Sequence, residues 1–193
     1  MNYLAHLLLS GDDPLVMVGN FMADGVKGRD LSAHHPDVQR GIRLHRRIDT
    51  FTDQHPLTAI GRKRLHPKCG KFAGVALDLF YDHLLASEWE RHSNVPLPQY
   101  AQECYVVLER EIARMPERTQ RMLPYMVRGD WLTGYAQVEG LADALYGLSI
   151  RVPHGMVLAG AEAVLVAHEA DLRREFRTFL GEMRERLAAT WEE

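Results

Sequence analysis

The sequence predicts an all-α fold, a helical bundle forming a single domain over residues 1–193. Three observations lead there. Apolar residues recur at helical spacing through nearly the whole chain. No run of alternating β-branched residues is bounded by turn residues, so strand signals are nearly absent. The breaks between periodic stretches carry the Pro and Gly that start and stop helices.

The elements follow in order. Asn2 to Leu9 forms a short helix with Asn2 at its N-cap. Gly11-Asp12-Asp13-Pro14 breaks it, and Asp13 before Pro14 fits an N-cap and first helical position. A second helix then runs to about Val26, with Gly25 and Gly28 at its end. Pro36 opens a third, to about Asp53, and Pro56 a fourth, to about Leu65. After Pro67 and Gly70 a long helix spans Lys71 to about His92. Phe72, Val75, Leu77, Leu79, Phe80, Leu84, Leu85 and Trp89 make it apolar on nearly all sides, which places it centrally. Beyond Pro96 and Pro98 a helix reaches about Arg114, and another covers Glu117 to Arg128, kinked near Pro124. Trp131 and Tyr135 pack one turn apart. Val138 to Ile150 is helical, and a last helix runs from about Met156 to Ala189, with an apolar stripe of Leu165, Leu172, Phe176, Phe179 and Met183. Helices of 97–193 are expected to brace residues 1–92, where the chemically informative residues lie.

Composition is that of an ordinary globular protein, 46% apolar and 25% charged. No apolar run is long enough to cross a membrane. Met1 to Ser10 lacks a basic n-region and a cleavage site, so no signal peptide is expected. Cys69 and Cys104 form no metal-type pair, and a reduced cytoplasmic protein is the expectation. Net charge is −3 but uneven. Lys27 to Lys71 holds eleven Lys/Arg against four Asp/Glu, a balance of +7 that leaves −10 for the rest. A basic region attracts phosphates or an acidic partner, although a solvated helix surface has the same signature. No RNA- or DNA-binding motif points to nucleic acid.

The candidate chemistry centres on His45-Arg46-Arg47-Ile48-Asp49, continued by Thr52-Asp53. At ~100° per residue, Val38, Gly41, Ile42, Ile48, Asp49 and Thr52 fall within about 60° of His45, the face that should be buried. Arg40, Arg43 and Arg47 fall opposite. A carboxylate on a buried face needs compensation. Either a metal ion or a salt bridge, for which Arg46 is placed, would serve Asp49. In the central helix Asp78 and Asp82 lie one turn apart with His83 beside them. Such carboxylates repel unless a cation or basic partners intervene, and a metal is the favoured reading for that group. Two further inward positions are His6, on the first helix, and Asp24, which shares a face with Asn20. His6, Asp24, His45, Asp49, Asp78 and Asp82 thus converge from four helices as candidate metal ligands. His and carboxylates without cysteine suit Mn, Fe, Mg or Zn in a hydrolytic site. Asp24, Asp49 and His83 are the candidate catalytic groups. Lys27, Arg46 and Arg47 are placed to bind a phosphate or partner. No P-loop, Rossmann glycine pattern or G-x-S-x-G elbow is present.

Several short motifs together resemble the acyl carrier protein phosphodiesterase family: Asn2-Tyr3-Leu4-Ala5-His6-Leu7, Gly19-Asn20 with Ala23-Asp24, His45 to Asp49 with Thr52-Asp53, and Leu77-Asp78 with Asp82-His83. The similarity continues through Trp131-Leu132, Tyr135, Gly140-Leu141 and Asp171 to Met183. That resemblance implies a distant relative of the all-helical HD-domain metal phosphohydrolases, here with Asp82-His83 in the reverse of the eponymous order. It implies hydrolysis of the phosphodiester between 4′-phosphopantetheine and a serine of acyl carrier protein, with Mn²⁺ as cofactor and an acidic protein as substrate. Two other readings stay open: a phosphohydrolase of nucleotides or other small esters, and a non-enzymatic helical binding module. Native metal, ion count and oligomeric state are not legible in the residues.

Overall fold

The computed structural model describes residues 1–189, and every regular element among them is helical. Eleven α-helices follow one another: α1 (Tyr3–Leu8), α2 (Pro14–Met22), α3 (Pro36–Gln54), α4 (Pro56–Cys69), α5 (Ala73–Ser87), α6 (Leu97–Arg110), α7 (Glu117–Arg128), α8 (Trp131–Gly134), α9 (Val138–Ser149), α10 (Glu162–Ala167) and α11 (Glu169–Ala188). Short 3-10 turns join several of them, at Ala23–Gly25, Gly70–Phe72, Trp89–Arg91, Ile112–Arg114 and Gly155–Leu158. Among the described residues, no helix is long and apolar enough to cross a membrane.

Caps explain where the early helices begin. Asp13 Oδ1 accepts from the backbone N–H of Leu15 and Val16, with Pro14 already at the first helical position. His35 and His55 do the same for α3 and α4 through Nδ1, each again followed by Pro. Asn2 starts α1 without a side-chain cap of its own. The N–H groups it leaves open are satisfied from α5.

Helix α5 is the central element. Ala76, Leu77, Phe80, Leu84 and Leu85 are fully buried, and Tyr81 meets Phe176 and Phe179 of α11 at ring distances of 5.2 and 4.9 Å. The apolar stripe of the C-terminal helix is buried as its spacing predicts, with Leu165 supplied by α10. An Arg64–Glu175 fork, two bonds of 2.8 Å, fastens α11 to α4.

The expected boundaries shift where Gly and Pro act differently. The anticipated helix from Met156 is divided, because Gly160 takes φ +77°, a left-handed turn that an α-helix does not contain. Pro67 does not end α4 at Leu65; it sits in the last turn, and the helix continues to Cys69. Pro124 is accommodated inside α7 in the same way. The long central helix is trimmed at both ends by 3-10 turns.

One packing contact sets the geometry of the front half. Helices α2 and α3 cross with their backbones touching at Gly19 and Gly41. A Cβ on Gly19 would lie 2.1 Å from the Val38 carbonyl oxygen, and one on Gly41 would lie 2.1 Å from that of Val16. Only glycine permits this approach. It brings Asn20 of α2 against the face of α3 that carries His45.

Candidate metal centre

His6 of α1, His45 and Asp49 of α3 offer ligand atoms that all lie within 4.8 Å of one another. The two imidazoles stack, with ring centroids 4.2 Å apart and planes 24° from parallel. Their Nδ1 atoms face the same acceptor: Asn20 Oδ1 lies 2.8 Å from His6 Nδ1 and 3.2 Å from His45 Nδ1. One amide oxygen has two lone pairs and can take both bonds. The Asn20 amide nitrogen is committed too, donating to the His6 carbonyl and to Ser10 Oγ at 2.8 and 2.9 Å. Asn20 is completely buried, so its orientation is fixed.

With Nδ1 of each ring held, Nε2 is the atom presented to the site. His45 Nε2 lies 2.9 Å from Asp49 Oδ2 and 3.2 Å from Asp24 Oδ1. His6 Nε2 lies 3.3 Å from Asp49 Oδ1, but without hydrogen-bond alignment, and it is a buried nitrogen with no hydrogen-bond partner. A buried polar atom left in that state calls for another ligand. Two Nε2 atoms and a carboxylate at one point, oriented by a shared second partner, are what a divalent cation requires, with the ion displacing any proton held at Nε2. The residues therefore fit a metal.

Electrostatics agree. Burial holds His6 below the ordinary imidazole range despite the pull of Asp49. Burial also opposes charge on His45, yet Asp24 and Asp49 outweigh it and raise that group to about 9. Desolvation acts to raise Asp49, but the two imidazoles more than reverse it and hold the carboxyl well below its usual range. Asp24 is also lowered, first by its bond to His45. Asp24 is the outermost of the group, its side chain 80% exposed, and Asp49 is 41% exposed. The cluster thus has a buried imidazole floor and a carboxylate rim open to solvent.

The other expected site residues are placed differently. Asp82 is fully buried and accepts from the N–H groups of Leu4 and Ala5, at 2.7 and 3.2 Å, capping α1 from across the core. Asp78 Oδ1 accepts from the Met1 amine at 2.9 Å. His83 Nδ1 donates to the Tyr135 carbonyl at 2.8 Å, tying α5 to the end of α8. The structure does not bring these three to the cluster, because backbone groups satisfy each of them. They anchor the helix on which His6 rides. Arg46 is not the partner of Asp49. Its Nη2 donates to the carbonyls of Gly28, at 2.8 Å, and Val26, at 3.4 Å, holding down the loop that follows Asp24. Lys27, in that loop, and Arg47 are exposed. Asn20 and Ser10 are absent from the expected set. The signal for Asn20 was available: an amide among Val16, Met17, Val18 and Phe21 has to be bonded internally.

The chain has relatives among known proteins. A family model described as acyl carrier protein phosphodiesterase matches residues 1–183. The chain is 33% identical over 187 residues to a protein of that name from Photorhabdus laumondii, covering 96% of this chain and 94% of the relative. It is 32% identical to the Yersinia pestis protein, covering 93% of each, and 32% identical to that of Escherichia coli O157:H7, covering 95% of each. No solved structure matches.

Proposed function

The chain belongs to the acyl carrier protein phosphodiesterase family, a family of phosphodiester hydrolases, and from that premise we propose that it releases 4′-phosphopantetheine from holo-acyl carrier protein with the aid of a divalent metal. One observation carries the metal part of the reading: His6 Nε2, His45 Nε2 and Asp49 meet at one point while Asn20 holds both Nδ1 atoms.

In this reading His6, His45 and Asp49 hold the ion. When bound, it supplies Lewis acidity at phosphoryl oxygen and a water activated near neutral pH. The chain's own groups do the rest. Asn20 fixes both ring orientations, so no rotamer search precedes binding. Asp24 lies outside the three-atom group and faces solvent, so we assign it to orient the attacking water and take its proton. Arg46 keeps the 26–28 loop, and with it Asp24, in place. Lys27, exposed in the loop after Asp24, suits the phosphodiester's negative charge, and Arg47, exposed on the other side of α3, is left to the protein partner. The all-helical fold and the His/Asp donor set support kinship with HD-type phosphohydrolases, with the ligands drawn from α1 and α3.

The test combines mass spectrometry with metal analysis. Purified protein with Mn²⁺ should remove one phosphopantetheine from holo-carrier protein. Chelator-stripped protein should not, and activity should return on adding Mn²⁺, with Mg²⁺, Fe²⁺ and Zn²⁺ compared in parallel. Full activity in stripped protein would overturn the metal assignment. An intact carrier beside a hydrolysed nucleotide would move the substrate to the small-ester class.

A further inference from the structure

The cations of α4 and α11 are paired unequally. On α11 Arg173 meets Glu169 and Glu88, Arg174 meets Asp171, and Arg177 meets Glu88. On α4 the arginines are paired, Arg62 with Asp53 and Arg64 with Glu175, but the lysines of α4 and of the turn after it are not. Among the described residues Lys63, Lys68 and Lys71 have no carboxylate partner. Lys63 and Lys71, with Arg62 and His66, line an open groove of about 460 Å³ between α4 and α5. The apolar side chains Ile60, 47% exposed, and Val75, 41% exposed, stand on the same two elements. Ile60, Lys63 and Pro67 are spaced as one stripe of α4, and all three face solvent.

The groove is tied to the metal centre through α3. Asp53 lies one turn beyond Asp49 and pairs with Arg62 at the groove's edge. One turn advances about 6 Å along the axis, and the arginine arm adds a similar length. The groove therefore starts roughly 12–15 Å from Asp49. A standard protein interface covers about 800 Å² per partner, a disc of roughly 16 Å radius. An interface of that size, centred on the cluster, extends as far as the groove's edge.

We propose that the α4–α5 groove is a docking surface for the acidic face of the carrier protein, separate from the groups that contact phosphate. The inference rests on the function proposed above. The observations favour an extended acidic protein over a free anion. The lysines are exposed and spread along α4 and the turn after it, and apolar Ile60 and Val75 add the non-polar contact expected at a protein interface. Because such rim charges act on encounter and affinity, the groove should govern capture of the protein substrate and leave the chemical step alone.

The experiment compares wild type with a Lys63→Glu/Lys71→Glu double variant on two substrates, holo-carrier protein and bis(p-nitrophenyl) phosphate, at low and high salt. KM for the carrier should rise about tenfold or more at low salt, with kcat and small-substrate turnover within about twofold and the difference shrinking at high salt. Replacing an acidic residue of the carrier by lysine should recover part of the loss in the double variant. An unmoved carrier KM, or equal losses on both substrates, overturns the groove assignment. So does a wild-type groove that captures oligonucleotide or a second copy of the chain in preference to the carrier, in binding lost by the double variant. Lys63→Gln/Lys71→Gln, with circular dichroism and Tm alongside, covers a failure of the reversal variant to fold. If wild type cleaves holo-carrier protein and the variant's KM is unchanged, the groove alone fails. If wild type leaves the carrier intact, the proposed function fails first.

Discussion

Two pairs of polar residues at the same spacing, His45 with Asp49 on α3 and Asp78 with Asp82 on α5, meet different fates in this molecule. On α3 the carboxylate faces side chains from α1 and the 3-10 turn after α2, and its rim is open to water. On α5 both carboxylates are taken by main-chain or terminal nitrogens of the first residues. Periodicity identifies both as inward-facing. It does not say whether the partner is a ligand set or an unfinished helix end. The short helix α1 settles the matter: it has no cap of its own, so it draws Asp82, and in exchange it carries His6 to α3. The α5 acids serve the site at one remove, by holding the element that supplies a ligand.

The largest test of this contrast sets Asp49→Ala against Asp82→Ala. Asp49→Ala should lower turnover by about 10³-fold or more, the scale of losing a main electrostatic contribution, with a smaller fall in metal-free Tm than Asp82→Ala gives, because the side chain is 41% exposed and its pairing with the imidazoles is screened. Asp82→Ala should do the reverse. It strands two buried N–H groups, each costing about 1–3 kcal/mol, so urea unfolding should show the loss. Turnover per folded, metal-saturated molecule should fall by no more than about tenfold. Similar activity losses from both variants at equal folded fraction would dissolve the distinction.

The fold class was legible because helical periodicity and the Pro and capping residues agree at Asp13-Pro14, His35-Pro36 and His55-Pro56. The buried face of α3 was legible for the same reason: Val38, Gly41, Ile42, His45, Ile48 and Thr52 are all buried. His6 and His45 could be named from inward position and residue type; Asp49 and Asp24 could be named from residue type and helix face, but Asp24 is not inward, its side chain being 80% exposed at the mouth of the cluster. What periodicity misses is anything fixed by a non-local partner. It could not show that Arg46 turns back to the carbonyls of Val26 and Gly28, or that Asp82 caps a helix 77 to 78 residues away in sequence. Asn20 escaped because an amide is neither a strong ligand nor a titrating group. Its role appears only once two imidazoles are seen to share it.

A smaller effect should come from the crossing that brings Asn20 to His45. Gly41→Ala places a methyl 2.1 Å from the Val16 carbonyl oxygen, so α2 and α3 must separate. Overpacking of this kind costs about 1–3 kcal/mol. The Asn20–His45 bond, already 3.2 Å long, should be lost, and metal affinity should weaken by about 10–100-fold, because the ring is no longer held with Nε2 toward the site. Isothermal titration with Mn²⁺ reads this directly. The α5 cluster should be untouched, so Asp82→Asn should add independently to Gly41→Ala in stability measurements. Coupling between them would show that the crossing and the α1 cap are one unit.

The smallest effect, and the finest separation of the two clusters, is the pH dependence of metal-free stability. Burial raises Asp82 from the ordinary carboxylate range to about 7, even against the two N–H bonds it accepts. A group raised on folding contributes stability that is complete below its unfolded value and is lost as pH climbs through its folded value. Asp82 should therefore make stability fall between about pH 4 and 7. His45, raised to about 9 from 6.5 by Asp24 and Asp49 against burial, should make it fall in a later window, from about pH 6.5 to 9. Asp49 is depressed, so its contribution is present above the unfolded carboxylate range and is lost only toward strong acid. Urea unfolding across pH should show two declining segments in metal-free protein. Asp82→Asn should flatten the first and leave the second. Saturating Mn²⁺ should remove the second, because an ion displaces the proton from His45. A single variant that erased both segments would mean that the α3 and α5 groups titrate together, and that the separation drawn between ligands and anchors is absent in solution.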